Sequence, residues 1–245
     1  MKGWNMKRYR QLIPAAALLL LMGTGTLQAA ERSAKEILKN AYAHLKSMQR
    51  YAFDAVVLEE EANDGKIVKT YRQDLSIKVS RPDKLRVDTH GDIKQRSSYL
   101  NHGLFTMIDH SYGYYGQLKT PVMLDKALDF IIEKYGINAP LASLVYSDME
   151  KRIKFRQSKY FGTVELDGTT CDYVAFKNPG QEVHAWITTG EHPLIKAYSI
   201  IDTKIKGAPR TNTTIYWKKN PNITAQDFIF TAPENAVKIS IERAN

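Results

Sequence analysis

The chain has 245 residues, with 35 Lys and Arg against 26 Asp and Glu, a formal charge of +9. A single cysteine, Cys171, excludes an internal disulfide framework, and scattered basic residues without a reader motif exclude a sequence-specific nucleic-acid binder. The length suits one domain whose core needs no covalent staple.

The first thirty residues read as a secretory signal. Lys2, Lys7, Arg8 and Arg10 precede an apolar run from Leu12 to Met22, and Ala29 and Ala30 offer a cleavage site. The run is short for a membrane span. Residues 1–29 are therefore expected to be removed, leaving residues 30–245 as a single soluble domain. No cysteine follows the apolar run, so no lipid anchor is expected on the new N-terminus. Removal takes four basic residues away and leaves a modest positive balance. That balance suits plain solubility, and also an anionic membrane surface or an acidic envelope protein.

The mature chain opens with a helix. Ser33 and Glu36 stand at capping-box spacing, and Ala34, Ile37, Leu38, Ala41, Leu45 and Met48 share one face. From Tyr51 the period changes to two, and Asp64-Gly65 marks a hairpin turn. A returning strand runs from Ile67 to Val79, Pro82 interrupts it, and Leu85, Val87 and Thr89 mark the next. Short strands are predicted over 96–100, 104–108 and 112–118.

The middle of the chain turns helical. Pro121 suits a first helical turn, Leu124, Leu128, Ile131 and Ile132 recur on one face, and Gly136 suits the left-handed end. Shorter helical pieces are predicted over 141–145 and 148–153. Strands resume over 160–166, 171–176, 183–188, 194–205 and 211–218, and Phe228, Phe230, Val237 and Ile239 close the chain. Turn-separated strands imply antiparallel pairing throughout. Roughly ten strands in one sheet are too many to lie flat, so the sheet should curl around an apolar space under its helices.

Catalytic and metal motifs are missing from this pattern. His184, His192 and Cys171 match no recurrent zinc spacing. There is no nucleophile elbow and no H-E-x-x-H helix. Asp125, Asp129 and Glu133 follow i, i+4 spacing beside Lys126 and Lys134, as on a solvated helix face. No metal, cofactor or enzymatic activity is expected. Only a spatial cluster of His102, Asp109 and His110 with a serine would reopen an enzymatic reading.

Aromatic and aliphatic side chains on the curled sheet remain. The candidate ligand-binding wall comprises Phe53, Val57, Leu85, Val87, Met107 and Tyr114, beneath a lid carrying Leu128, Ile131, Ile132 and Leu144.

Several strings in order carry a family resemblance: Arg81-Pro82-Asp83-Lys84-Leu85-Arg86, Leu124-Asp125-Lys126-Ala127-Leu128, and Tyr135-Gly136 with Ala139-Pro140-Leu141. Gly168 with Cys171 and Phe176, Trp186-Ile187 with Pro193-Leu194, and Phe228-Ile229-Phe230 with Pro233 and Ala236 continue it. Over about 33–241 the chain resembles a family of predicted bacterial periplasmic proteins grouped with the LolA/LolB-like lipoprotein-carrier superfamily. The resemblance implies a mainly β, α+β fold: a strongly curved antiparallel half-barrel, with an N-terminal helix and a central helical lid over the concave face. It carries over no site residue. The expected function is periplasmic binding of a hydrophobic ligand, a lipid or lipoprotein acyl chain, in a carrier or chaperone role. The rival is an envelope interaction protein whose interior is filled by its own side chains.

Overall fold

The computed structural model describes residues 32–139 and 141–244, and the expected signal segment lies outside them. Helix α1 (Ala34–Ser47) buries Ala34, Ile37, Leu38, Ala41, Tyr42 and Leu45, the stripe that its spacing requires. Ser33 precedes it in extended conformation but makes no side-chain cap, so the expected Ser33–Glu36 box does not form. The backbone N–H of Ile37 instead donates to Ser33 O at 3.0 Å. Below α1, Arg32 Nη1 donates to buried Asp172 at 2.6 Å, and Tyr160 donates to the same oxygen at 3.0 Å.

Strands β1 (Arg50–Asn63) and β2 (Lys66–Ser80) form a long hairpin around Asp64-Gly65, whose φ angles of 47° and 79° match a tight hairpin turn. Strands β3 (Lys84–Gly91), β4 (Gln95–Asn101), β5 (Leu104–Asp109) and β6 (Tyr114–Lys119) extend one side as a meander. After the helical insert come β7 (Gln157–Leu166), β8 (Thr169–Asn178), β9 (Gln181–Thr188), β10 (Ile195–Asp202) and β11 (Arg210–Trp217). Strand β11 returns to β1, which unites both halves in one sheet. A twelfth strand, β12 (Val237–Lys238), runs parallel to β6 and corrects the expectation of antiparallel pairing throughout. The order is β12-β6-β5-β4-β3-β2-β1-β11-β10-β9-β8-β7, unclosed, with β12 and β7 at the edges.

Residues directly opposite one another on neighbouring strands share a face. One inner row is Phe53, Ile77, Val87, Ser98, Met107 and Gly116; another is Val57, Thr213, Tyr198, Ala185 and Val174. The insert covers this face with α2 (Leu124–Tyr135), a 3-10 turn at Ala142–Leu144 and the short α3 (Met149–Arg152). Pro121 lies outside the helix, which begins at Leu124 with its N–H on Pro82 O at 2.9 Å. Gly136 ends α2 in the left-handed region at φ 61°. Side chains from α1, α2, both sheet halves and the 3-10 turn meet in one apolar cluster. Twelve flat strands at about 4.8 Å spacing would spread over roughly 50 Å, too wide for one such cluster, so the sheet must curve around it.

Two features lock this arrangement. Arg81, only 7% exposed, donates to Met48 O (3.2 Å), Val145 O (2.8 Å) and Tyr51 OH (3.1 Å), while Tyr51 OH donates to Leu144 O at 2.8 Å. Its Nη1 lies 4.0 Å from Asp125 Oδ1. The C-terminal segment forms the second lock. Phe228 and Ile223 pack on Ala52 at the outer face, and Phe230 meets Tyr99 and Tyr115 at 5.6 and 5.1 Å. Past β12 the segment rounds the edge, sets Ile241 against Gly116, and reaches Lys134 O through the Ala244 N–H at 3.2 Å.

Candidate functional site

The inner face is not filled uniformly. Alternation puts Phe176 of β8, Val183 of β9 and Ile195 of β10 on that face, while α1 presents Leu38 and the segment after α3 presents Ile153 and Phe155. They surround a hollow of about 290 Å³, near the lower bound of small-molecule pockets at roughly 300 Å³. The Phe155 and Phe176 rings stack with centroids 4.5 Å apart. Met149 and Ile200 complete a predominantly apolar wall.

Three hydroxyls interrupt this wall, from Tyr42, Ser143 and Tyr198. Burial, the nearby Tyr198 phenol and an opposing Ser143 hydrogen bond act on Tyr42, and the net effect pushes its phenol well above the usual range. Burial likewise raises Tyr198. Both stay neutral at physiological pH, so the hollow holds hydroxyl dipoles but no phenolate.

Strand ends and the insert shape the opening. Asn178 Oδ1 accepts from the Arg156 N–H at 3.0 Å, and Asn178 Nδ2 donates to Lys154 O at 2.8 Å. These bonds hold the 154–156 segment to the β8–β9 hairpin. Arg152 donates to Asp129 Oδ1 and Oδ2 at 2.7 and 3.1 Å, to Asp148, and lies 3.9 Å over the Tyr146 ring. Hydrogen bonds from Arg152 hold the Asp129 carboxyl below its usual range, and Asp129 and Asp148 raise the Arg152 guanidinium further.

The six wall candidates do share the inner face, because Phe53, Val87 and Met107 lie in one cross-strand row and Val57, Leu85 and Tyr114 at even spacing from it. Phe53, Val57, Leu85, Leu128, Ile131 and Leu144 are buried in the apolar cluster, and Val87 and Met107 pack against it. Ile132 is half-buried and Tyr114 is exposed. Eight of the ten thus belong to the packed body beside the hollow, Tyr114 and Ile132 lie outside it, and none of the ten lines the hollow. Sequence reasoning passed over Leu38, Phe176, Val183 and Ile195. Their alternation was readable, but their convergence depends on β11 pairing with β1 across the chain.

On the outer face a second hollow of about 460 Å³ is lined by Asp54, Asp74, Asp88, His90, Ser97 and His110 among others. Ser97 Oγ donates to Asp88 at 2.6 Å and lies 2.8 Å from His110 Nε2. Here serine sits between the acid and the histidine, whereas nucleophilic activation needs histidine in the middle. His102 pairs instead with Asp83, and Asp109 with Arg96 at 2.9 Å. The spatial cluster that would have reopened an enzymatic reading does not assemble.

Comparison of the whole sequence with family models decides the relationship. The chain belongs to the family described as Predicted periplasmic protein (DUF2092). The family match spans residues 34–242, nearly all of the described chain. No curated protein matches the sequence. Among solved structures, an uncharacterized conserved protein from Thermus thermophilus superposes with a TM-score of 0.50 at 12% identity, covering 85% of this chain and 99% of that one. A LolA superfamily protein from Nitrosomonas europaea gives 0.37 at 10% identity, covering 82% and 99%. The lipoprotein LppX of Mycobacterium tuberculosis gives 0.42 at 10% identity, covering 78% and 98%. Among the described residues, no helix is long and apolar enough to cross a membrane.

Proposed function

We propose that this family member binds a hydrophobic ligand, an acyl chain of a lipid or lipoprotein, in the hollow between α1, the 149–155 segment and strands β8–β10. The supporting observation is the hollow itself: about 290 Å³, predominantly apolar, on the covered side of a curved sheet. Burying roughly eight methylenes at about 0.8 kcal/mol each gives on the order of 6 kcal/mol before the costs of association. The protein works in the periplasm, exported by residues 1–29 and free of a lipid anchor, as a carrier or chaperone.

Entry requires the 149–155 wall to lift. That wall has one short helix of four residues and is tied by polar contacts at Arg152 and Asn178. Ser143 lines the hollow and neighbours buried Leu144. A chain longer than the hollow would therefore run beneath the 3-10 turn toward Leu128, Ile131 and Phe53, separating the lid from Leu85, Val87 and Met107. Tyr114 and Ile132 would then stand at the far rim of the widened space.

Native mass spectrometry of protein purified from the periplasm, with titration of a fluorescent fatty-acid analogue, tests the reading. Copurified lipid and saturable probe binding that Ala185→Leu weakens are expected. Absence of both lipid and probe binding in wild-type protein removes it.

A further inference from the structure

The apolar hollow shares part of its wall with a polar one. Asn178, Gln181 and Ile200 line both, and the second, about 600 Å³, is walled by Glu59, Glu60, Asp202, Lys204 and Arg210. The polar hollow is the larger, so a molecule filling both would have a narrow apolar part and a bulky polar part. The two share their rim on the β8–β9 hairpin and at Ile200 of β10.

Both signs of charge line this vestibule. Asp202 Oδ1 accepts from the Lys204 N–H at 2.9 Å, and Glu60 Oε2 accepts from the Arg210 N–H at 2.9 Å. Lys204 and Arg210 thus meet those carboxylates through backbone donors. Among the described residues, no ion pair engages the Lys204 ammonium or the Arg210 guanidinium. The base is preformed. Gly180 has φ 82°, and a Cβ there would overlap the Lys204 side chain, whose stem lies across the turn. The Thr203 N–H joins Gly180 O at 3.2 Å and holds that loop to the hairpin.

Resting on the acyl-chain reading, we propose that the vestibule selects a single-chain amphiphile whose head carries both a phosphate and an amine. Arg210 and Lys204 take the phosphate, since guanidinium and ammonium donors pair strongly with its oxygens. Glu59, Glu60 and Asp202 face the cationic amine. A head with one charge satisfies one set of side chains and leaves the other facing water. The narrow apolar hollow admits one chain.

Isothermal titration with three dodecyl amphiphiles below their micellar concentrations separates the possibilities. Dodecylphosphocholine should bind about tenfold more tightly than dodecyl sulfate or dodecyltrimethylammonium, the scale of one additional charge-assisted contact. Arg210→Ala should erase the advantage over dodecyltrimethylammonium while leaving affinity for that cation unchanged. Lys204→Ala should reduce the advantage in the same direction, and unchanged thermal melts of both variants certify the fold. Equal binding of all three amphiphiles overturns the head-group selection and leaves the acyl-chain reading standing. Equal weakening of all three by Arg210→Ala, or comparably tight binding of phosphocholine without a chain, also overturns it. Failure of every amphiphile to bind removes both proposals.

Discussion

Arg152 of α3 grips Asp129 of α2 with two parallel hydrogen bonds, 2.7 and 3.1 Å long, across 23 residues of chain. This fork joins the packed half of the cover to the wall of the hollow. Asp129→Asn keeps the shape but removes the charge, and should cost about 1.5–3 kcal/mol, the range for a hydrogen bond to an ionised group. Amide exchange should accelerate over 149–155 and the off-rate of a bound probe should rise. Unchanged exchange there would show that the fork does not restrain the wall.

Acid should loosen the outer face through Asp227. Its carboxyl receives hydrogen bonds from Lys78 and the Thr224 N–H and is held down to about 2. An unfolded aspartate titrates near about 3.9, so this contact stabilises the fold fully above that value and is lost as pH falls toward the native one. Melting temperatures of wild type and Asp227→Asn should differ by a constant amount above about pH 5 and converge toward pH 2. A gap that persists at low pH would contradict the assignment.

Arg81 is the buried cation that ties the ends of α1 and the 3-10 turn to the β2–β3 junction. Removing its side chain leaves the Met48 and Val145 carbonyls without its donors. Arg81→Ala should lower stability by about 3–5 kcal/mol in denaturant titration, the usual cost of breaking a buried charged network. A loss below about 1 kcal/mol would mean water replaces the guanidinium.

The C-terminal clasp depends on a missing methyl. A Cβ at Gly116 would overlap the Ile241 side chain. Gly116→Ala should free the last residues to limited proteolysis, and a second change, Ile241→Ala, should restore much of the protection. If Gly116→Ala leaves the tail as resistant as before, Ile241 has other room.

Local chemistry made much of this fold readable. The Asp64-Gly65 and Asp167-Gly168 turns, with positive φ at both residues, and the Gly136 helix end follow from backbone sterics within a few residues. Shared facing of Phe53, Leu85 and Met107 follows from the period of two. Non-local events were hidden. Thr224 and Asp227 form the capping box expected at Ser33 and Glu36, because lodging of Phe228 against Ala52 positions that turn. Alternation along β8 and the helical stripe of α1 can show that Phe176 and Leu38 are inward-facing. Whether their volumes fill the space or leave it vacant depends on where α1 lands across β7–β9.

The two margins of the sheet end differently. Beyond β6 the chain supplies its own two-residue terminal ribbon, whereas among the described residues Gln157–Leu166 has no strand beyond it. The long edge among the described strands that could accept a foreign strand, from another polypeptide or a misassembled copy, is therefore β7. That side carries Lys159 and a slipped register between Tyr160 and Thr163, which spoil it as a template. Loss of the final ten residues would expose β6 along its whole length, whose register is unbroken from Tyr114 to Lys119.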